Sequence, residues 1–178
     1  MARSACMRLH VAADPGTKPW VVRPEDAQRI ACMIGGDAVV EYHPRSAIRR
    51  VWASHHPGEP LPVPENSFRA WSRAGRAVLF VDSSETYESA LWLLLHELAH
   101  LDLVQSPMIS RAYRSIAKPA NYLSSDRAHE SHPEEQLANI VATTVLGLIG
   151  YEPVQYDRLW WRSRRGERIS GSACECGV

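Results

Sequence analysis

The chain has no apolar segment long enough to cross a bilayer. Its longest apolar run, Ala90 to Leu95, falls far short of the roughly 20 residues that a membrane helix needs. The first residues, MARSACMRLHVAADPG, contain no apolar core of a secretory signal. There is no charge imbalance: 20 basic residues meet 20 acidic ones. No global field therefore draws the chain to nucleic acid or acidic lipid. Cysteine is sparse. Cys6 and Cys32 are isolated, and Cys174 and Cys176 form a C-x-C near Val178. That is no disulfide framework at this size, so the expected compartment is cytoplasmic. The terminal C-E-C-G is like half of a zinc ribbon, but a closed structural site takes four ligands. The two thiols are therefore read as part of a tail. No internal repeat is present.

What remains is an ordinary globular composition, 45% hydrophobic and 22% charged over 178 residues. That length suffices for one core without cross-links. The expected organisation is a single domain over 1–170 with a flexible tail over 171–178. Residues 1–22 show no clear period, and Asp14-Pro15-Gly16 marks a turn. A helix is expected from Pro24, because Ala27, Ile30, Ala31 and Ile34 share one face before Gly35-Gly36. A short strand is expected over Ala38–Tyr42. Pro57, Pro60, Pro62 and Pro64 make 53–66 an extended loop. Phe68–Trp71 and Arg76–Val81 read as a hairpin around Ala74-Gly75.

A helix should then run from about residue 84 to about Val104, with Asp82 and Glu85 at capping-box spacing and Pro107 beyond its end. Leu91, Trp92, Leu93, Leu94, Leu95, Leu98, Ala99 and Leu101 leave it few polar faces, so it should be buried. A short amphipathic helix is expected over Met108–Ala117 and a polar loop over 118–130. Another helix starts at Ser131 as N-cap, with Pro133 in its first turn and Glu134 three residues on. Its stripe of Leu137, Ile140, Val141, Thr144, Val145 and Leu148 should face the core, with Gly150 at its end. A last helix is expected from Pro153 to about Arg165. Its Arg158, Arg162, Arg164 and Arg165, with Arg168 beyond, read chiefly as a solvated basic face, and direct nucleic-acid binding is not expected.

Within the apolar helix stands His96-Glu97-Leu98-Ala99-His100. Residues four apart on a helix are about 40° apart around its axis and roughly 6 Å along it, so two imidazoles can reach one ion. This H-E-x-x-H spacing is that of zinc hydrolases. Zinc takes neutral imidazole nitrogens and carboxylate oxygens, and it lowers the pKa of a bound water toward about 7. Glu97, beside the ligands, would take that water's proton and pass it to the leaving amine. Two histidines and a glutamate on so apolar a helix are costly without partners.

A third ligand is needed. Leu103 and Ser106 stand where the metzincin pattern would have Gly and His, which excludes that class. Glu135 is the better candidate, with Glu134 assigned to the cap; Glu135 lines up with Ala138, Asn139 and Ala142, a face of small residues that could pack closely against the His96–His100 helix. Asn139, one turn on, would orient a ligand imidazole. His129 and His132 are alternatives as ligand or as transition-state donor, and Tyr113 and Tyr122 could stabilise an oxyanion. His55-His56 is read as surface. Strand Ala77–Val81 could pair with an extended substrate.

H-E-L-A-H behind an apolar strand, with a later E-x-x-A-N, resembles the ImmA/IrrE metallopeptidases, of the broader gluzincin group, over roughly 76–150. The resemblance implies that His96, His100 and Glu135 bind Zn2+ and that Glu97 is the general base. It implies a minimal zincin-like α+β fold, with a small sheet ahead of the H-E-x-x-H helix and a ligand-bearing helix after it. It also implies a protein substrate, such as a helix-turn-helix repressor. The alternative function is a non-proteolytic zinc sensor or interaction protein on the same fold.

Overall fold

The computed structural model describes residues 8–33, 37–62, 65, 68–105 and 132–151, with the side chains of 102–105 excepted. The fold is α+β. Four strands, β1 (Arg8–Ala13), β2 (Asp37–Pro44), β3 (Ala70–Arg73) and β4 (Arg76–Val81), form one sheet in the order β1-β2-β4-β3. β1 runs parallel to β2 and β2 parallel to β4, whereas β3 is antiparallel to β4. The helices are α1 (Pro24–Met33), α2 (Ile48–His55), α3 (Tyr87–Gln105) and α4 (Pro133–Leu148). Among the described residues, no helix is long and apolar enough to cross a membrane.

Strand alternation sorts the side chains between two cores. Ala38, Val40 and Tyr42 of β2, with Ala77 and Leu79 of β4, face a main core shared with α1, α3 and α4. Val78 and Phe80 of β4 point the other way, to Ala47, Ile48, Val51 and Phe68. β4 is therefore buried on both faces, which is why Ala77–Val81 reads as an unbroken apolar run. Each fully buried Leu or Phe contributes about 1.5–3 kcal/mol. The hairpin turns on Ala74 and Gly75, at φ 51° and 76°. Positive φ at both central positions suits the right-handed twist of the flanking strands.

Several expectations need correction. β1 and a 3-10 helix over Pro15–Trp20 occupy the stretch that showed no period. α2 extends into the expected proline-rich loop as far as His55. The first hairpin strand is Ala70–Arg73, not Phe68–Trp71. α3 begins at Tyr87 and is capped by Thr86, whose Oγ1 accepts the Ser89 N–H at 3.1 Å. Asp82 instead closes the preceding turn, where its Oδ1 accepts the Ser84 N–H at 2.8 Å. α4 starts at Pro133 with His132 as N-cap, so Ser131 does not hold that place.

The bulky stripe of α4 also departs from expectation, whereas its small-residue face does lie against α3. Glu135, Ala138, Ala142, Val145 and Leu146 are buried, while Ile140 and Leu148 of the expected stripe are 61% and 67% exposed. Small residues let α4 lie close against α3 and leave the bulky pair outside. The expected helices over 108–117 and 153–165, the loop over 118–130 and the C-terminal tail lie outside the described residues.

Candidate metal centre

α3 is covered on nearly every side. From Leu91 to Leu101 only His96 and His100 retain partial exposure; every other residue is buried. The two histidines, one turn apart, mark the opening in that cover. Across it lies the first turn of α4, which brings in Glu135, itself 5% exposed.

Three donor atoms form a near-equilateral triangle. His96 Nε2 and His100 Nε2 are 3.0 Å apart, and Glu135 Oε2 lies 3.2 Å from the first and 3.3 Å from the second. Bonds of about 2.0–2.1 Å to a tetrahedral zinc would set ligand atoms about 3.3 Å apart. The donor set and its spacing therefore fit one small divalent ion, with a fourth position left over. His96, His100 and Glu135 are the one group of this kind among the described residues.

Charge points the same way. Glu97, Glu134 and Glu135 converge on two imidazoles in a largely dry setting. Burial pushes the Glu97 carboxyl above its usual range, with Glu135 adding to the rise. His96, His100 and a hydrogen bond from the Ser72 side chain oppose it. Burial would pull the His100 imidazolium down, but hydrogen bonds to Glu134 and Glu135 outweigh it and carry His100 up to about 10. A pocket with three carboxylates suits a dication.

The ligands are held in different ways. The Trp92 ring stacks on His96 at 5.4 Å between centroids, and its Nε1–H donates to Thr143 Oγ1 of α4 at 3.2 Å. His100 Nδ1 faces Glu134 Oε1 at 3.2 Å.

The expected site residues His96, Glu97, His100 and Glu135 are thus brought together. Glu134 does not turn back to the helix start as expected, because the cap has moved to His132 and Glu134 sits at the second helical position. Asn139 makes no hydrogen bond to either histidine among the described residues, and Glu134 takes the place expected for it. His132 is not part of the donor triangle, and its Nδ1 accepts the Glu134 N–H at 3.4 Å. His129, Tyr113 and Tyr122 lie outside the described residues. His56 is buried and stacked on Trp52 at 3.9 Å, not on the surface.

The expected substrate-pairing strand is corrected too. β4 is paired on both edges, by β2 and β3, so it offers no free backbone. β3 is the edge strand on that side. Ser72 on β3 is among the groups that favour the Glu97 carboxylate, an influence that neither motif nor spacing could reveal. No protein-family model, no curated protein and no solved structure matches the chain.

Proposed function

We propose that this protein is a zinc-dependent peptidase of the zincin type. The observation that carries this reading is the donor triangle of His96, His100 and Glu135 with the buried Glu97 beside it. A zinc ion held there would act as a Lewis acid and bring a water within range of deprotonation near neutral pH. Glu97, beside the ligand pair, would receive that proton on its carboxylate. It then delivers the proton to the departing amine nitrogen. With the ion in place, His96 and His100 would present Nε2 atoms free of protons, and Glu135 an anionic oxygen. The outer edge of β3 would receive an extended stretch of substrate by backbone pairing. The resemblance of H-E-L-A-H and E-x-x-A-N to the ImmA/IrrE peptidases directs the search for substrates to helix-turn-helix regulators of the cytoplasm.

The test is metal analysis joined to cleavage assays on such regulators. Purified protein should hold about one zinc per chain. Glu97→Gln should keep that zinc and lose hydrolysis by on the order of 100-fold or more. Retained cleavage in the variant would refute the role of Glu97. Full zinc binding with no cleavage by the native chain would favour a zinc sensor or interaction protein.

A further inference from the structure

Two neighbouring carboxylates on α4 grip opposite nitrogens of one imidazole. Glu135 Oε2 lies 3.3 Å from His100 Nε2, and Glu134 Oε1 lies 3.2 Å from His100 Nδ1. Adjacent helical residues project about 100° apart, which lets one carboxylate take each side of the ring. Nε2 also faces His96 Nε2 at 3.0 Å, so it is the nitrogen turned into the donor triangle. A carboxylate accepts and does not donate, so Nδ1 carries a hydrogen toward Glu134, and Nε2 would give up its own only when an ion takes its place in the triangle.

We infer that Glu134 is a positioning residue for the metal site: by accepting the His100 Nδ1–H it fixes the ring's tautomer and orientation, with the Nε2 lone pair aimed at the ion. The inference rests on the metal-site reading above. The contact is enclosed, with His100 and Glu134 side chains 12% and 16% exposed, so water competes little for it. Outer partners of this kind orient ligand histidines and raise their basicity. His96 has no equivalent. Its Nδ1 is buried without a hydrogen-bond partner among the described residues, and its ring is held by stacking on Trp92. One ligand is thus set by a carboxylate and the other by packing.

The experiment is zinc titration against a competing chelator for the native chain, Glu134→Ala and Glu134→Gln. The metal-free melting temperatures of all three are recorded in parallel. Glu134→Ala should weaken zinc binding about 10- to 100-fold, with little change in metal-free melting. Glu134→Gln should recover most of that affinity, because its amide oxygen still accepts the Nδ1–H. In cobalt-loaded protein, the visible absorption should shift in the Ala variant and return toward native in the Gln variant, a signature that a purely structural role would not produce. Native affinity in Glu134→Ala, or equal loss in both variants, would overturn the inference. A native chain that takes up neither zinc nor cobalt would overturn the metal-site reading itself and this inference with it.

Discussion

Asp26 is 2% exposed, yet it carries a carboxylate against the main core. Tyr87 OH donates to its Oδ2 at 2.7 Å and Tyr151 OH donates to the same oxygen at 2.9 Å. Arg23, whose N–H donates to Tyr87 OH at 3.0 Å, lies over the Tyr87 ring. Removing the carboxylate leaves two phenols without their acceptor. Asp26→Ala should therefore lose about 2–4 kcal/mol in urea unfolding, and Asp26→Asn less, since an amide oxygen still accepts. Burial, then the hydrogen bond and charge of Asp26, push the Tyr87 phenol well above its ordinary value of 10.0, against the backbone hydrogen bond from Arg23. The folded state therefore keeps a proton that the unfolded chain releases. That stability is fully present below about pH 10 and is lost progressively as pH rises beyond it toward the raised value. Tyr87→Phe should flatten this alkaline decline in a pH series of melting temperatures. An unchanged slope would assign the decline to other groups.

Among the elements, α4 offers the sharpest contrast. Its two faces are both apolar, but only one is inside. Leu146 is fully buried and Ile140 is 61% exposed. Leu146→Ala should cost about 2–5 kcal/mol through a cavity in the core, whereas Ile140→Gln should change stability by no more than about 0.5 kcal/mol. Equal losses would mean that α4 packs on the opposite face. The helix and its small-residue face toward α3 were legible in the sequence, but the expectation that the bulky stripe faces the core was not met, because Val, Ile, Leu, Ala and Thr on most sides set no direction. What settled it was the size of Ala138 and Ala142 against α3. α3, β4 and the hairpin turn were legible because their patterns are strong and local. β1 was not: it is a mostly exposed edge strand whose place comes from parallel pairing with β2. The triad His96, His100 and Glu135 could be read from spacing and from the small-residue face that Glu135 shares, although the capping argument that set Glu134 aside did not hold. Glu134 could not, because the one-residue shift of the cap from Ser131 to His132 is what frees it to reach His100.

At the scale of the whole molecule, the sheet separates two cores, and the candidate ion would join only elements on one side of it. Zinc should therefore act as a brace between α3 and α4. Ligand held by the folded state alone raises stability by about 2.7 kcal/mol at a hundredfold excess over its dissociation constant. The melting temperature should rise with added zinc in the native chain and stay level in His96→Ala, read by calorimetry with and without chelator. A parallel rise in the variant would place the ion elsewhere.

The unequal cover of α3 and α4 has a kinetic consequence. From Leu91 to Leu101 α3 is enclosed by neighbours, whereas α4 turns Ile140, Thr144 and Leu148 to solvent. Amide protons of α3 should exchange with deuterium only when the whole domain opens, and those of α4 through smaller, more frequent openings. The histidine pair is then the stationary half of the site, and Glu135 is the half that lets go. Escape of the ion should keep time with detachment of α4. Bound zinc should accordingly slow exchange far more along α4 than along α3, and equal slowing in both helices would count against this order of events.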